Sequence, residues 1–248
     1  MEAIWTEGLA GRHVVVTGAG RGLGRAIAIA FASLDATVTA VARSSTDLDS
    51  LAANGDGRID AWCCDVTTDA FVDRLEALGQ LDVLVNNAGM NRPLPIEAVD
   101  GETLDAMLML NIRSVYRASQ AAVRVMSRGG RGGSIIQMSS QMGHVGAPNR
   151  TVYCMTKHAV EGLTKAMAVE LGPIGIRVNS VAPTFIETDL TQKMLADEAF
   201  RISVLSSIPL GRVGTPADVV GAVIFLASPA AAMITGSSIR VDGGWTAR

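Results

Sequence analysis

The sequence comprises 248 residues, 48% hydrophobic and 18% charged, long enough to bury a large core within one domain. Its 21 basic and 24 acidic residues and a pI near 5.6 provide no global field that would draw it to nucleic acid or an anionic membrane. Three cysteines, Cys63, Cys64 and Cys154, are too few and too irregularly placed for a disulfide framework or a spaced zinc site.

The first residues, MEAIWTEGLAGR, carry Glu2 and Glu7 and no secretory apolar stretch. Near the other end, VVGAVIFLASPAAAMIT is broken by Ser228 and Pro229 and falls short of a membrane span. A soluble protein of the reducing cytoplasm, without a metal, is expected. Between these ends, short β-branched runs alternate with longer runs of helical period. Strands are expected at 13–17, 37–42, 58–63, 82–86, 134–138, 177–181 and 238–241, with helices at 22–33, 103–126, 152–171 and 216–227. This order predicts a single α/β domain spanning 1–248: a doubly wound, Rossmann-type seven-stranded parallel sheet with helices on both faces. One stretch, 184–212, breaks the rhythm. It is expected to hold one or two short helices and, because it follows a strand's C-terminal end, to act as a lid rather than a packed surface excursion.

After the first strand comes Thr17-Gly18-Ala19-Gly20-Arg21-Gly22-Leu23-Gly24, followed by an apolar helix. Glycines allow a tight turn and let backbone N–H groups and the helix N-terminus approach a pyrophosphate. The second strand ends Ala42-Arg43-Ser44, with no acid to hold an unphosphorylated ribose. Arg43, with Arg21 in the turn, can instead pair with a 2′-phosphate, which favours NADP(H) over NAD(H).

Tyr153 and Lys157 lie four residues apart in an expected helix, so phenol and ammonium share a face. A neighbouring cation, or the positive ring of an oxidised nicotinamide, favours the phenolate. The spacing alone also fits an ordinary surface pair. Ser139 and Ser140 end the preceding strand, Asn111 occupies an unusual mid-helix position, and Asn86-Asn87-Ala88-Gly89 ends the fourth strand. Cys154 reads as a small packed side chain.

Together these residues resemble the short-chain dehydrogenase/reductase family from Leu9 to Trp245: TGAGRGLG, Asp65-Val66, NNAG, Asn111, the serine before YCMTK, IRVNSVAP and VDGG. The resemblance implies Tyr153 as general acid/base and Lys157 as the group that binds the nicotinamide ribose and lowers the phenol pKa. It implies Ser140, rather than Ser139, as the substrate-orienting hydroxyl. Asn111 would distort its helix and hold a water joining Lys157 to solvent. Asp65 and Val66 would meet adenine, Asn87, Ala88 and Gly89 would border the cofactor, and Ile186 and Thr188 would hold the carboxamide beyond Pro183. Here Thr184 replaces the family's glycine after that proline. A homotetramer is also implied, with Trp245 buried against a neighbouring subunit.

Four residues point to a small polar substrate: Asn91, Gln141, His144 and an arginine such as Arg150. A polyol, sugar or sugar acid fits them, although His144 taken alone reads as a loop-stabilising group. The alternative is a 3-oxoacyl thioester reductase whose carrier protein docks on Arg128 and Arg131, and a non-catalytic cofactor sensor is a third reading.

Overall fold

A computed structural model describes residues 8–247, except for the side chains at 189, 190 and 193. Glu2 and Glu7 lie outside the described residues. Seven strands form one sheet: β1 (His13–Thr17), β2 (Thr37–Ala42), β3 (Ile59–Cys63), β4 (Val83–Asn86), β5 (Gly133–Met138), β6 (Ile176–Pro183) and β7 (Ser238–Val241). Their spatial order is β3-β2-β1-β4-β5-β6-β7 and every pairing is parallel. The order reverses between β1 and β4. A doubly wound sheet opens its ligand crevice at that reversal, outside the carboxyl ends of the strands.

Alternation along the strands explains the two cores. Val14 and Val16 face one side with Val38, Ala40, Val83 and Val85, and pack against α1 (Gly22–Ala32), α2 (Ser45–Ala52) and α9 (Pro216–Ala227). Val15, Val41, Leu84, Ile135 and Val178 face the other. They are covered by α3 (Asp69–Glu76), α5 (Ser114–Gly129) and α6 (Thr151–Leu171). Two helices absent from the sequence expectation, α2 and α3, are short and begin at conventional caps: Ser44 accepts from the Asp47 N–H, and Thr68 from the Phe71 N–H.

The expected helix 103–126 is three pieces. α4 (Gly101–Leu108) passes through a π-helical turn, Met109–Arg113, into α5, and Asn111 sits at the centre of that turn. The segment after β6 holds α7 (Asp189–Leu195) and α8 (Glu198–Ser206). Its base is closed by a parallel bridge between Ile186 and Gly214. Phe185 packs within the chain, 5.6 Å from the Phe200 ring and 5.9 Å from Trp245. Trp245 is half-buried in the single chain. Among the described residues no helix is long and apolar enough to cross a membrane.

Two glycines in helices differ sharply in what surrounds them. A Cβ at Gly24 would overlap the Gly18 carbonyl oxygen and stand 2.5 Å from Asn87 Nδ2, whereas one at Gly221 in α9 would meet nothing within 4 Å. Gly24→Ala should therefore lower unfolding free energy by about 2–3 kcal/mol or more through overpacking. Gly221→Ala should raise it by about 0.5–1 kcal/mol. Urea unfolding of both variants checks the pair, and equal effects would contradict the close approach at Gly24.

Candidate active site

The glycine turn leaves the start of α1 open. Gly18 and Gly22 take φ of +67° and +54°, conformations costly for residues with a Cβ. Arg21 stands at the N-cap without capping α1 through its side chain, and the first turn holds no acid. The unneutralised N–H groups form an anion cradle at the sheet's reversal. Across it, Thr17 Oγ1 accepts from the Asn87 and Ala88 N–H groups, both at 3.0 Å, and donates to the Val85 carbonyl. Asn87 Nδ2 donates to the Thr17 and Gly18 carbonyls. The turn and the NNAG segment are thus one hydrogen-bonded unit. Thr188, at the N-cap of α7, lies beside it, since a Cβ at Gly22 would stand 3.5 Å from Thr188 Cγ2. Leu23 follows in the first turn of α1.

Arg21 and Arg43 are exposed and, among the described residues, neither pairs with a carboxylate. Asp65 accepts from both the N–H and the hydroxyl of Thr67 through Oδ1, which fixes the turn leading past buried Val66. Pro183 is the last residue of β6, paired with Val241, and the Thr184 N–H continues the ladder to the Val241 carbonyl at 3.1 Å. Thr184 is not among the residues with positive φ, so threonine replaces the family glycine there without backbone strain. Its Oγ1 is buried without a partner.

Asn111 uses its whole amide. Its Oδ1 accepts from the Met90 N–H at 2.9 Å, while Nδ2 donates to the Met90 carbonyl at 2.8 Å and to Thr156 Oγ1 at 3.2 Å. Thr156 in turn donates to the Tyr153 carbonyl. Lys157, only 7% exposed, donates through Nζ to the Met138 carbonyl at 2.7 Å and lies 5.6 Å from the Tyr153 ring centroid. Its burial lowers the ammonium pKa to about 8 against the opposing pull of Glu161. Burial pushes the Tyr153 phenol above its ordinary pKa, opposed by the Ser140 hydroxyl and the Arg150 charge.

The polar pocket residues divide. Gln141 is buried, and its Oε1 accepts the Ser140 hydroxyl at 2.8 Å. His144 turns to β7, with Nε2 3.0 Å from Ser238 Oγ and 3.3 Å from Glu161 Oε1, the loop-fastening arrangement. Asn91 is exposed, and Arg150 is buried at the N-cap of α6. Sequence reasoning missed Glu161, whose carboxylate also accepts from Ser180 and Ser238. An acid one turn past Lys157 was the available signal. Cys154 is half-buried and free. Arg128 and Arg131 lie near the start of β5, where they contact the Glu76 carbonyl and Asp82. That is the amino-terminal end of the parallel strands, opposite the crevice and away from Tyr153, which gives no support for carrier docking beside it.

The comparisons agree with this geometry. A family model described as Enoyl-(Acyl carrier protein) reductase matches residues 18–246. The chain is 42% identical to bovine (Bos taurus) L-xylulose reductase over 96% of its own length and 98% of that protein. It is 40% identical to a Thermotoga maritima 3-oxoacyl-[acyl-carrier-protein] reductase, covering 95% and 98%. A Burkholderia cenocepacia gluconate 5-dehydrogenase solved with NADP and tartrate superposes with a TM-score of 0.90 at 34% identity, covering 96% of each chain. The chain belongs to the short-chain dehydrogenase/reductase family.

The lysine pKa has a measurable sign. Between about pH 8 and 10.5 the unfolded chain keeps the Lys157 proton while the folded chain has released it, so stability must rise with pH through that window. Relative to Lys157→Met, the wild type should gain roughly 2–3 kcal/mol between pH 7 and 10. Urea unfolding at several pH values tests this, and parallel profiles for the two proteins would contradict it.

Proposed function

We propose that this protein is an NADP(H)-dependent oxidoreductase that interconverts a secondary alcohol and a ketone on a small polyhydroxylated substrate: a polyol, a ketose or a sugar acid. The convergence of Tyr153, Ser140 and Lys157 beside the glycine cradle carries the reading. The L-xylulose reductase and gluconate 5-dehydrogenase relatives support the substrate class. Bound cofactor supplies the hydride and, when oxidised, a positive ring near the phenol. Tyr153 transfers the hydroxyl proton and Ser140 orients the substrate oxygen. Lys157 binds the cofactor ribose, and Asn111 holds the Met90 segment and Thr156 in register. Gly18, Gly22, Leu23 and Gly24 receive the pyrophosphate, and Arg21 and Arg43 the 2′-phosphate. Asp65 and Val66 border the adenine, Asn87, Ala88 and Gly89 the ribose side, and Pro183, Ile186 and Thr188 the carboxamide. Residues 184–212 serve as the lid, consistent with the closed bridge at their base.

The assembly we infer is a cytoplasmic homotetramer, supported by exposed Tyr116 on α5 and Val169 on α6 and by three free cysteines. Light scattering that gives the monomer mass would overturn it. A 3-oxoacyl thioester is the second substrate class, favoured by the Thermotoga maritima relative.

Tyr153→Phe should keep NADPH binding, measured by fluorescence titration, and lose on the order of 10²–10⁴ in kcat; near-normal turnover would remove Tyr153 from its role. Arg43→Glu should lower kcat/KM for NADPH roughly 10- to 100-fold and leave NADH nearly unchanged. A substrate panel followed at the reduced-nicotinamide band decides the class. Turnover of an acetoacetyl thioester in preference to every ketose and sugar acid would refute the polyhydroxylated substrate.

A further inference from the structure

Arg150 belongs to the site, and the reaction above does not use its chemistry. The residue is only 7% exposed. A guanidinium keeps its charge in proteins and carries five N–H donors, so burying it is costly unless an acceptor meets it. Here Nη1 reaches only the Asn149 carbonyl, at 3.3 Å, and Nε is buried with no hydrogen-bond partner. Among the described residues no carboxylate pairs with it.

Its position is as telling as its lack of partners. Arg150 occupies the N-cap of α6, one turn before Tyr153, and its charge acts directly on the phenol. Burial disfavours the guanidinium charge, while Tyr153 and Cys154 favour it. α6 starts with no side-chain cap and no acid in its first turn, so the helix dipole adds to the same unneutralised positive end. The competing donors are engaged or exposed: His144 is held by Ser238 and Glu161, and Asn91 faces solvent.

We propose that Arg150 is the substrate's anion receptor: it takes a carboxylate of the substrate in a two-pronged contact, so the molecule oxidised or reduced at Tyr153 is a hydroxylated acid rather than a neutral ketose. This rests on the polyhydroxylated-substrate reading and selects within it. A neutral sugar would leave the buried cation without a counterion. A carboxylate meets the free donors and matches the planar fork of arginine.

The test compares wild type, Arg150→Met and Arg150→Lys in two assays. In the first, binding of D-gluconate and of xylitol to the NADP⁺-loaded protein is measured by calorimetry. Wild type should bind gluconate at least 10-fold more tightly than xylitol. Arg150→Met should lose roughly 10- to 100-fold of gluconate affinity, and Arg150→Lys, which keeps the charge but not the fork, a smaller part. In the second, kcat/KM with NADPH is measured for 5-keto-D-gluconate and for L-sorbose. The acid-to-ketose ratio should fall at least 10-fold in Arg150→Met, and a merely structural arginine would instead lower both substrates together. Wild type that binds gluconate no better than xylitol, or no better than Arg150→Met does, overturns the proposal. If gluconate binds through Arg150 but neither sugar is turned over while the acetoacetyl thioester is, the anion receptor stands and the polyhydroxylated-substrate reading falls.

Discussion

The Thr17 hydroxyl is the smallest part of the crevice and the one that the rest depends on. It sits at the end of β1 and accepts two backbone N–H groups from the end of β4. Without it the Ala88 N–H would be left unpaired at the sheet's reversal, at a cost of about 1–3 kcal/mol, and the Asn87 N–H would keep only the Val85 carbonyl at 3.1 Å. From this stitch a continuous hydrogen-bonded path leads to the chemistry. Asn87 ties back to Gly18, the segment continues to Met90, Met90 holds Asn111, Asn111 holds Thr156, and Thr156 holds the Tyr153 carbonyl. The cradle for the cofactor and the helix bearing the phenol are therefore held in register by backbone and short side chains with little rotamer freedom.

The π-turn at Met109–Arg113 belongs to the same path. An asparagine inside a regular helix competes with the backbone for hydrogen bonds and weakens the helix. Here the wider turn directs the amide outward, where it makes three bonds to Met90 and Thr156. The local helix defect is offset by bonds to two other segments. A second polar cluster works behind it: Asn86 and Gln137 donate to the buried Ser119 hydroxyl and bind each other, fastening β4 and β5 to α5 beneath the site. Fully satisfied buried networks of this kind favour one arrangement over its neighbours.

The legible part of the sequence was the part that backbone geometry dictates. The glycine turn and the valine run of β1 each have one local reading, and the Tyr153/Lys157 spacing gained one from Ser140, Asn111 and the glycine turn around it. Helices α2 and α3 were not seen because each is only eight residues and carries a short apolar face. The β6 strand ran two residues past its expected end because the Val241 ladder continues through Pro183. Contacts assembled from distant segments left no local mark. His144, Glu161, Ser180 and Ser238 come from four elements, so His144 could be grouped with Asn91, Gln141 and Arg150 while its ring was committed to β7, as its reading alone had suggested. The contact between Phe185, just after β6, and the Trp245 ring also joins distant segments, as do those of Arg128 with the Glu76 carbonyl and Arg131 with Asp82.

What remains is a site that holds charge where water is scarce. Lys157 is buried but has Met138's carbonyl and Glu161 to favour its ammonium. Glu161 is buried but has two hydroxyls and an imidazole. Both are paid in hydrogen bonds from the protein itself. Arg150 has only the Asn149 carbonyl: its Nε has no partner and, among the described residues, no carboxylate meets it. Folding favours replacing such a group with an apolar one, since unpaired buried charge destabilises. An arginine there costs stability that only a ligand can return, and binding of an anion beside Tyr153 would return it at the point where the substrate must be held.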